Sequence, residues 1–145
     1  MLVLRTIATT ELPPALPGRN DLPGCLTGQA PITDHCCNFH RADWARAVRC
    51  ATWAWYCRRP DESPQDFLEQ AINLPDRLLE AARSLLIDPI ILHMEGGHPA
   101  AIAGGHMRVA ALRQQRSSHA IVECFKIDSA PIAGELLDPE LITRR

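Results

Sequence analysis

The chain has 145 residues, 46% hydrophobic content and a formal net charge of −2. That length suits one domain with a sizeable core, and the charge excludes a global positive field that would gather nucleic acid non-specifically. No stretch approaches the ~20 consecutive apolar residues of a membrane span. The apolar N-terminus lacks a basic leader, so no signal peptide is expected and a cytoplasmic location is the default.

In chain order, Leu2–Ala8 (LVLRTIA) reads as a first strand. The segment 9–31 is punctuated by Pro13, Pro14, Pro17, Gly18, Pro23, Gly24, Gly28 and Pro31. It is expected as a surface loop, long enough to be functional. From about Arg41 a helix runs to Arg59. Cys50, Trp53 and Cys57 share one of its faces, and Trp44, Val48, Ala51 and Trp55 share another, as in a helix buried on two sides. Arg46 and Arg49 are left for water. All three tryptophans fall here; helical spacing explains them as core without invoking a base-stacking platform.

Ser63-Pro64-Gln65-Asp66 carries the signature of a helix start: a capping serine, proline at the first helical position and an acid near the dipole's positive end. This helix should run to about Ile72. Pro75 and Asp76 open the next, where Leu78, Leu79, Ala82, Leu85 and Leu86 form an apolar stripe suited to packing on a sheet. Residues Pro89–Met94 form a short Ile-rich run expected as a buried strand. Glu95–Pro99 (EGGHP) is a turn, and Ala100–Ala103 the return strand. Gly104 and Gly105 break the strand and His106–Arg116 reads as a helix. Met107, Ala110, Ala111 and Gln114 share one of its faces, with Val109 and Leu112 beside it. Ser117 and Ser118 end the helix, and His119–Phe125 is a last strand. The tail 129–145 is expected to form short helical turns that cover a sheet edge or pair with a second subunit.

Two stretches invite chemistry. The first is the strand, glycine pair and helix start at Gly104–Arg108. There the glycines let a backbone approach a phosphate, the first helical N–H groups point at it, and Arg108 supplies a guanidinium to clamp an oxygen, with His106 as a further donor. The same glycines also serve tight packing. The second is His35, Cys36, Cys37 and His40. That spacing is neither a zinc-finger nor a ribbon pattern, no C-x-x-C occurs, and adjacent cysteines rarely hold one ion, so no zinc is expected. The six cysteines are expected as free thiols. Glu95, flanked by His93 and His98, is a candidate general base, although turn glutamates usually serve only solvation. Arg113 and Arg116 extend the positive surface of the last helix toward a nucleic-acid phosphate.

The pattern G-H-x-R-x-A-A at Gly105, His106, Arg108, Ala110 and Ala111, behind a Pro89-Ile90 strand and a hairpin, resembles the core of the ParB/sulfiredoxin superfamily. The resemblance spans Asp76 to Phe125, including the helix ahead of the strand. It implies a single α+β domain over residues 1–145, a small mixed sheet flanked by helices, with the box contacting nucleotide phosphates or a phosphorylated substrate. It also makes Arg19, in the early loop, a candidate second contact. His106 stands where sulfiredoxins carry their reactive cysteine, so sulfinic-acid reduction is not expected. Gly104, Gly105, His106 and Met107 replace the Gly-Glu-Arg-Arg of partition proteins, and the residues after Phe125 are too few for their helix-turn-helix domain. The expectation is therefore a nucleotide- or phosphate-binding module for CTP, ATP or ADP, with or without Mg. It would be regulatory or DNA-associated through a local arginine patch, with a homodimer allowed by the tail. The alternatives are a Mg-dependent nucleotide hydrolase or small-molecule kinase, and a non-catalytic protein-interaction module.

Overall fold

A computed structural model describes residues 2–14, 22–27, 37–70 and 73–125. Arg19, much of the 9–31 loop and the 129–145 tail lie outside the described residues. Strand β1 (Leu2–Ala8) is followed by a 3-10 turn at Thr9–Glu11. Then come α1 (Gly24–Thr27), α2 (Asn38–Arg41), α3 (Trp44–Cys57), α4 (Pro64–Glu69), α5 (Asp76–Ile87), β2 (Ile90–Glu95), β3 (His98–Gly104), α6 (His106–Gln114) and β4 (His119–Phe125). The architecture is α+β, as expected. No helix among the described residues is long and apolar enough to cross a membrane.

The four strands form one mixed sheet in the order β1-β4-β2-β3. β1 runs antiparallel to β4, from Leu2 opposite Phe125 to Ala8 opposite His119. β4 runs parallel to β2 through Ile90 opposite Val122. β2 and β3 form an antiparallel hairpin. Its loop is tighter than the expected EGGHP turn. Glu95 pairs directly with His98, and Gly96 and Gly97 have φ of 56° and 80°. Positive φ at both loop positions is the backbone twist that two-residue hairpins favour and that glycine adopts without strain.

Helix boundaries follow their caps. α3 starts at Trp44 rather than Arg41 because Asp43 accepts from the Arg46 amide (3.1 Å) while Ala42 is extended. α4 starts as the sequence predicts, with Ser63 Oγ accepting from the Asp66 amide at 3.1 Å, but it ends at Glu69, short of Ile72. Gly24–Thr27 departs from the expected uninterrupted loop by forming one helical turn. α3 packs on α4 and α5, and it also meets the sheet. There the buried Thr52 and Thr6 hydroxyls bond at 3.0 Å and satisfy each other away from water. Ala47, Ala51 and Ala54 of α3 are fully buried together with Ala82 and Leu85 of α5, so the helix interior is built from small side chains as well as the predicted aromatics.

α6 buries Ala111 of the face read from the sequence and both residues beside it. His106, Val109, Ala111 and Leu112 turn inward, while Met107 is exposed and Ala110 and Gln114 are half-buried. The helix ends in a Schellman arrangement: Ser117 N–H donates to Leu112 O (2.9 Å) and Arg116 N–H to Arg113 O (3.1 Å). Arg116 takes the left-handed position at φ 55°, where glycine is usual.

Candidate functional site

The box divides by role. Gly105 caps α6 at φ 82°, and a Cβ there would lie 2.9 Å from Ile90 Cα. Glycine is demanded twice, by the left-handed conformation and by the backbone of β2. Gly104 is different: a Cβ would meet only Ile91 side-chain atoms at 3.6 Å or more, an ordinary contact. His106 is buried at the head of the helix. Arg108, two residues further in the same first turn, projects into a cleft of about 300 Å³.

Four helices wall that cleft. α2 and the start of α3 contribute Phe39, Arg41 and Trp44, α5 contributes Arg77, Glu80 and Ser84, and α6 contributes Arg108. Phe39 and Trp44 stack with ring centroids 5.6 Å apart at 16°, and Trp44 Nε1 donates to Phe39 O at 2.6 Å. Arg108 Nη2 reaches Asp88 Oδ2 at 3.3 Å; the guanidinium side chain is 15% exposed and the carboxylate 76%. So exposed a carboxylate adds only about 0–1 kcal/mol to the pair. Arg108 Nε is buried and has no hydrogen-bond partner among the described residues. Three guanidinium groups against the single carboxylate of Glu80 make the lining cationic.

Of the expected site residues that are described, Arg108 lines this cleft and Glu95 does not. Glu95 closes the hairpin at the other end of β2, five residues from Ile90, or about 16 Å along a strand. Its carboxylate is 74% exposed and lies 3.6 Å from His93 Nε2. A second hollow of about 520 Å³ on the strands, lined by Arg5, Leu92, Met94, His98, Val122 and Cys124 among others, also excludes Glu95. The expected arginine surface is reduced as well. Arg113 Nη2 donates to Leu12 O (3.1 Å) and Pro13 O (2.5 Å), so it ties the segment after β1 to α6.

The metal expectation needs correction. Cys25, Cys37 and His40 place their ligand atoms within 4.8 Å of one another, a set that fits a metal ion and does not fit the expectation of no zinc. His35 and Cys36 lie outside the described residues. Cys25 stands 12 residues before Cys37, across a Pro/Gly-rich stretch, so no template of ligand spacing connects it to the pair Cys37-x2-His40.

In comparisons with protein-family models, curated proteins and solved structures, nothing matches this chain.

Proposed function

We propose that the chain is a nucleotide- or phosphate-binding module of the ParB/sulfiredoxin kind, regulatory or DNA-associated, with its anion held in the cleft at the head of α6. The observation that carries this reading is Arg108. Its guanidinium sits in a cationic cleft beside Arg41 and Arg77, and its buried Nε lacks a protein acceptor among the described residues. A phosphate oxygen would supply that acceptor and would compete with Asp88 for Nη2. The half-buried Phe39 ring, backed by Trp44, lines the cleft where a base could rest. Gly105 enters as the residue that lets α6 start against β2, and Gly104 and His106 enter through the helix head.

The test is calorimetric titration of CTP, ATP and ADP, with and without Mg, into wild type and Arg108→Ala. The variant should lose about 1.5–3 kcal/mol of binding free energy, the scale of a charged hydrogen bond, or roughly 10- to 100-fold in Kd. Equal affinity in the two proteins sinks the assignment. In the enzymatic alternative the acid would be Glu80, which lines the cleft. Mg-dependent phosphate release abolished by Glu80→Gln and retained in Glu95→Gln would favour that alternative.

A further inference from the structure

We infer that Cys25, Cys37 and His40 form a metal site for a zinc-type divalent ion. The two Sγ atoms are 3.3 Å apart, and Cys37 Sγ lies 3.6 Å from His40 Nδ1. Ligand bonds of about 2.3 Å to sulfur and 2.0–2.1 Å to nitrogen place tetrahedral ligand atoms roughly 3.5–3.8 Å apart. The sulfur–nitrogen separation already matches, and the thiols need part by only a few tenths of an ångström. Two thiolates and an imidazole select zinc over the hard, oxygen-seeking cations.

The hydrogen bonds around the set fix which imidazole nitrogen is free. The Cys25 carbonyl oxygen can only accept, so the Gln114 side-chain NH₂ faces it, at 2.7 Å. The Gln114 Oε1 is thereby turned to His40 Nε2. An amide oxygen also only accepts, so Nε2 carries the proton and the lone pair of Nδ1 is directed at Cys37 Sγ. This is how metal-binding histidines are held, with the second nitrogen donating to an outer partner. Gln114 therefore orients one ligand through its ring and the other through its backbone.

The location gives the ion a task. Cys25 sits on α1 and His40 on α2, each a single helical turn of four residues. Turns of that length are not stable by their own hydrogen bonds. Both rest against α6, and an ion shared by the three ligands would cross-link them there. α2 also brings Phe39 and Arg41 to the cleft, so the ion would fix one wall of it. Among the described residues three side chains supply ligands, and the fourth position of a tetrahedral ion belongs to another group.

The test is a Co²⁺ titration of reduced, chelator-treated protein, followed by displacement with Zn²⁺. Stoichiometric binding with a thiolate-to-cobalt charge-transfer band and tetrahedral ligand-field bands is expected. Cys37→Ser and His40→Ala should each lose or alter the spectrum with unchanged circular dichroism. Gln114→Leu should keep it while weakening affinity about 10- to 100-fold, the usual effect of an outer partner. No charge-transfer band in reduced wild type overturns the site. So does a spectrum that survives Cys37→Ser and disappears in Cys36→Ser, which would place the ion on a different set. If Cys25→Ser fails to fold, the Cys37 and His40 variants carry the decision.

Discussion

The sheet and the α1–α2 segment are held to α6 in opposite ways. At the sheet, side chains such as Ile90, Leu92, Leu112 and Val122 are buried to 4% exposure or less, and association rests on apolar area. On its other side, α6 and its C-cap residue present polar side chains to backbone groups, and to the His40 ring, of chain between Leu12 and Trp44. Arg113 holds Leu12 and Pro13, Gln114 holds Cys25 and His40, and Gln115 accepts from Trp44 N–H (2.8 Å) and donates to Ala42 O (2.8 Å) and Phe39 O (3.4 Å). One nine-residue helix thus faces a core on one side and clasps irregular chain on the other. The difference teaches that a segment rich in proline and glycine, unable to satisfy its carbonyls by helix or ladder, is positioned by long polar side chains from a regular element.

The largest expected effect lies on the apolar side. Gly105→Ala should destabilise the protein by about 2–5 kcal/mol, combining the left-handed penalty of roughly 1–2 kcal/mol with overpacking of about 1–3 kcal/mol. Gly104→Ala, a residue away, should stay within about 1 kcal/mol of wild type. Urea midpoints measured on both variants check this. Similar losses at the two positions would mean that the backbone of β2 does not set the requirement. On the polar side, Gln115→Ala removes all three of its bonds and should cost about 1–3 kcal/mol, mainly by leaving the Trp44 amide and the Ala42 carbonyl unsatisfied. Because this damage is local, amide exchange should rise at Trp44 and hardly change in β2 and β4. Uniform acceleration across the sheet would erase the distinction between the two regions.

The same division explains what could be read in the sequence. The sheet half was legible: the runs at residues 2–8 and 119–125 are strands at those boundaries, Ser63-Pro64 caps a helix, and Gly105 marks the start of α6. Periodicity and turn chemistry are local signals and survive without partners. The clasp was not legible. Gln115 bonds residues 71 to 76 positions away and Arg113 residues 100 and 101 positions away, and nothing local to a glutamine or arginine announces such a partner. Helical spacing puts Gln114 on a face with Met107 and Ala110, but nothing in it announces that the helix turns this side chain to Cys25 and His40. Arg108 could be picked out from the box, but the cleft it enters is built by Phe39, Trp44 and Glu80, and nothing local to those three announces a cleft. Cys37 and His40 were considered together with His35 and Cys36 and set aside for zinc, because Cys25, which could complete a ligand set with them, is brought near only by the fold.

The cysteines sharpen the comparison at the smallest scale. Cys124 is buried in β4 beside the sheet core. Desolvation by burial raises its pKa from the ordinary 9.0, Arg5 opposing and Glu123 adding to the rise. The half-exposed Tyr56 is shifted the same way from 10.0, again by desolvation with Arg5 opposing. Below pH 9.0 the Cys124 thiol keeps its proton in both states, and its contribution to stability is complete. As pH rises beyond that value the unfolded chain ionises first and becomes favoured, so stability falls until the folded thiol also titrates. Urea unfolding at a series of alkaline pH values should show this decline, and Cys124→Ala should make it shallower even if the variant is less stable at neutral pH. An identical slope in wild type and variant would mean that the sheet thiol is no more protected than one in the unfolded chain.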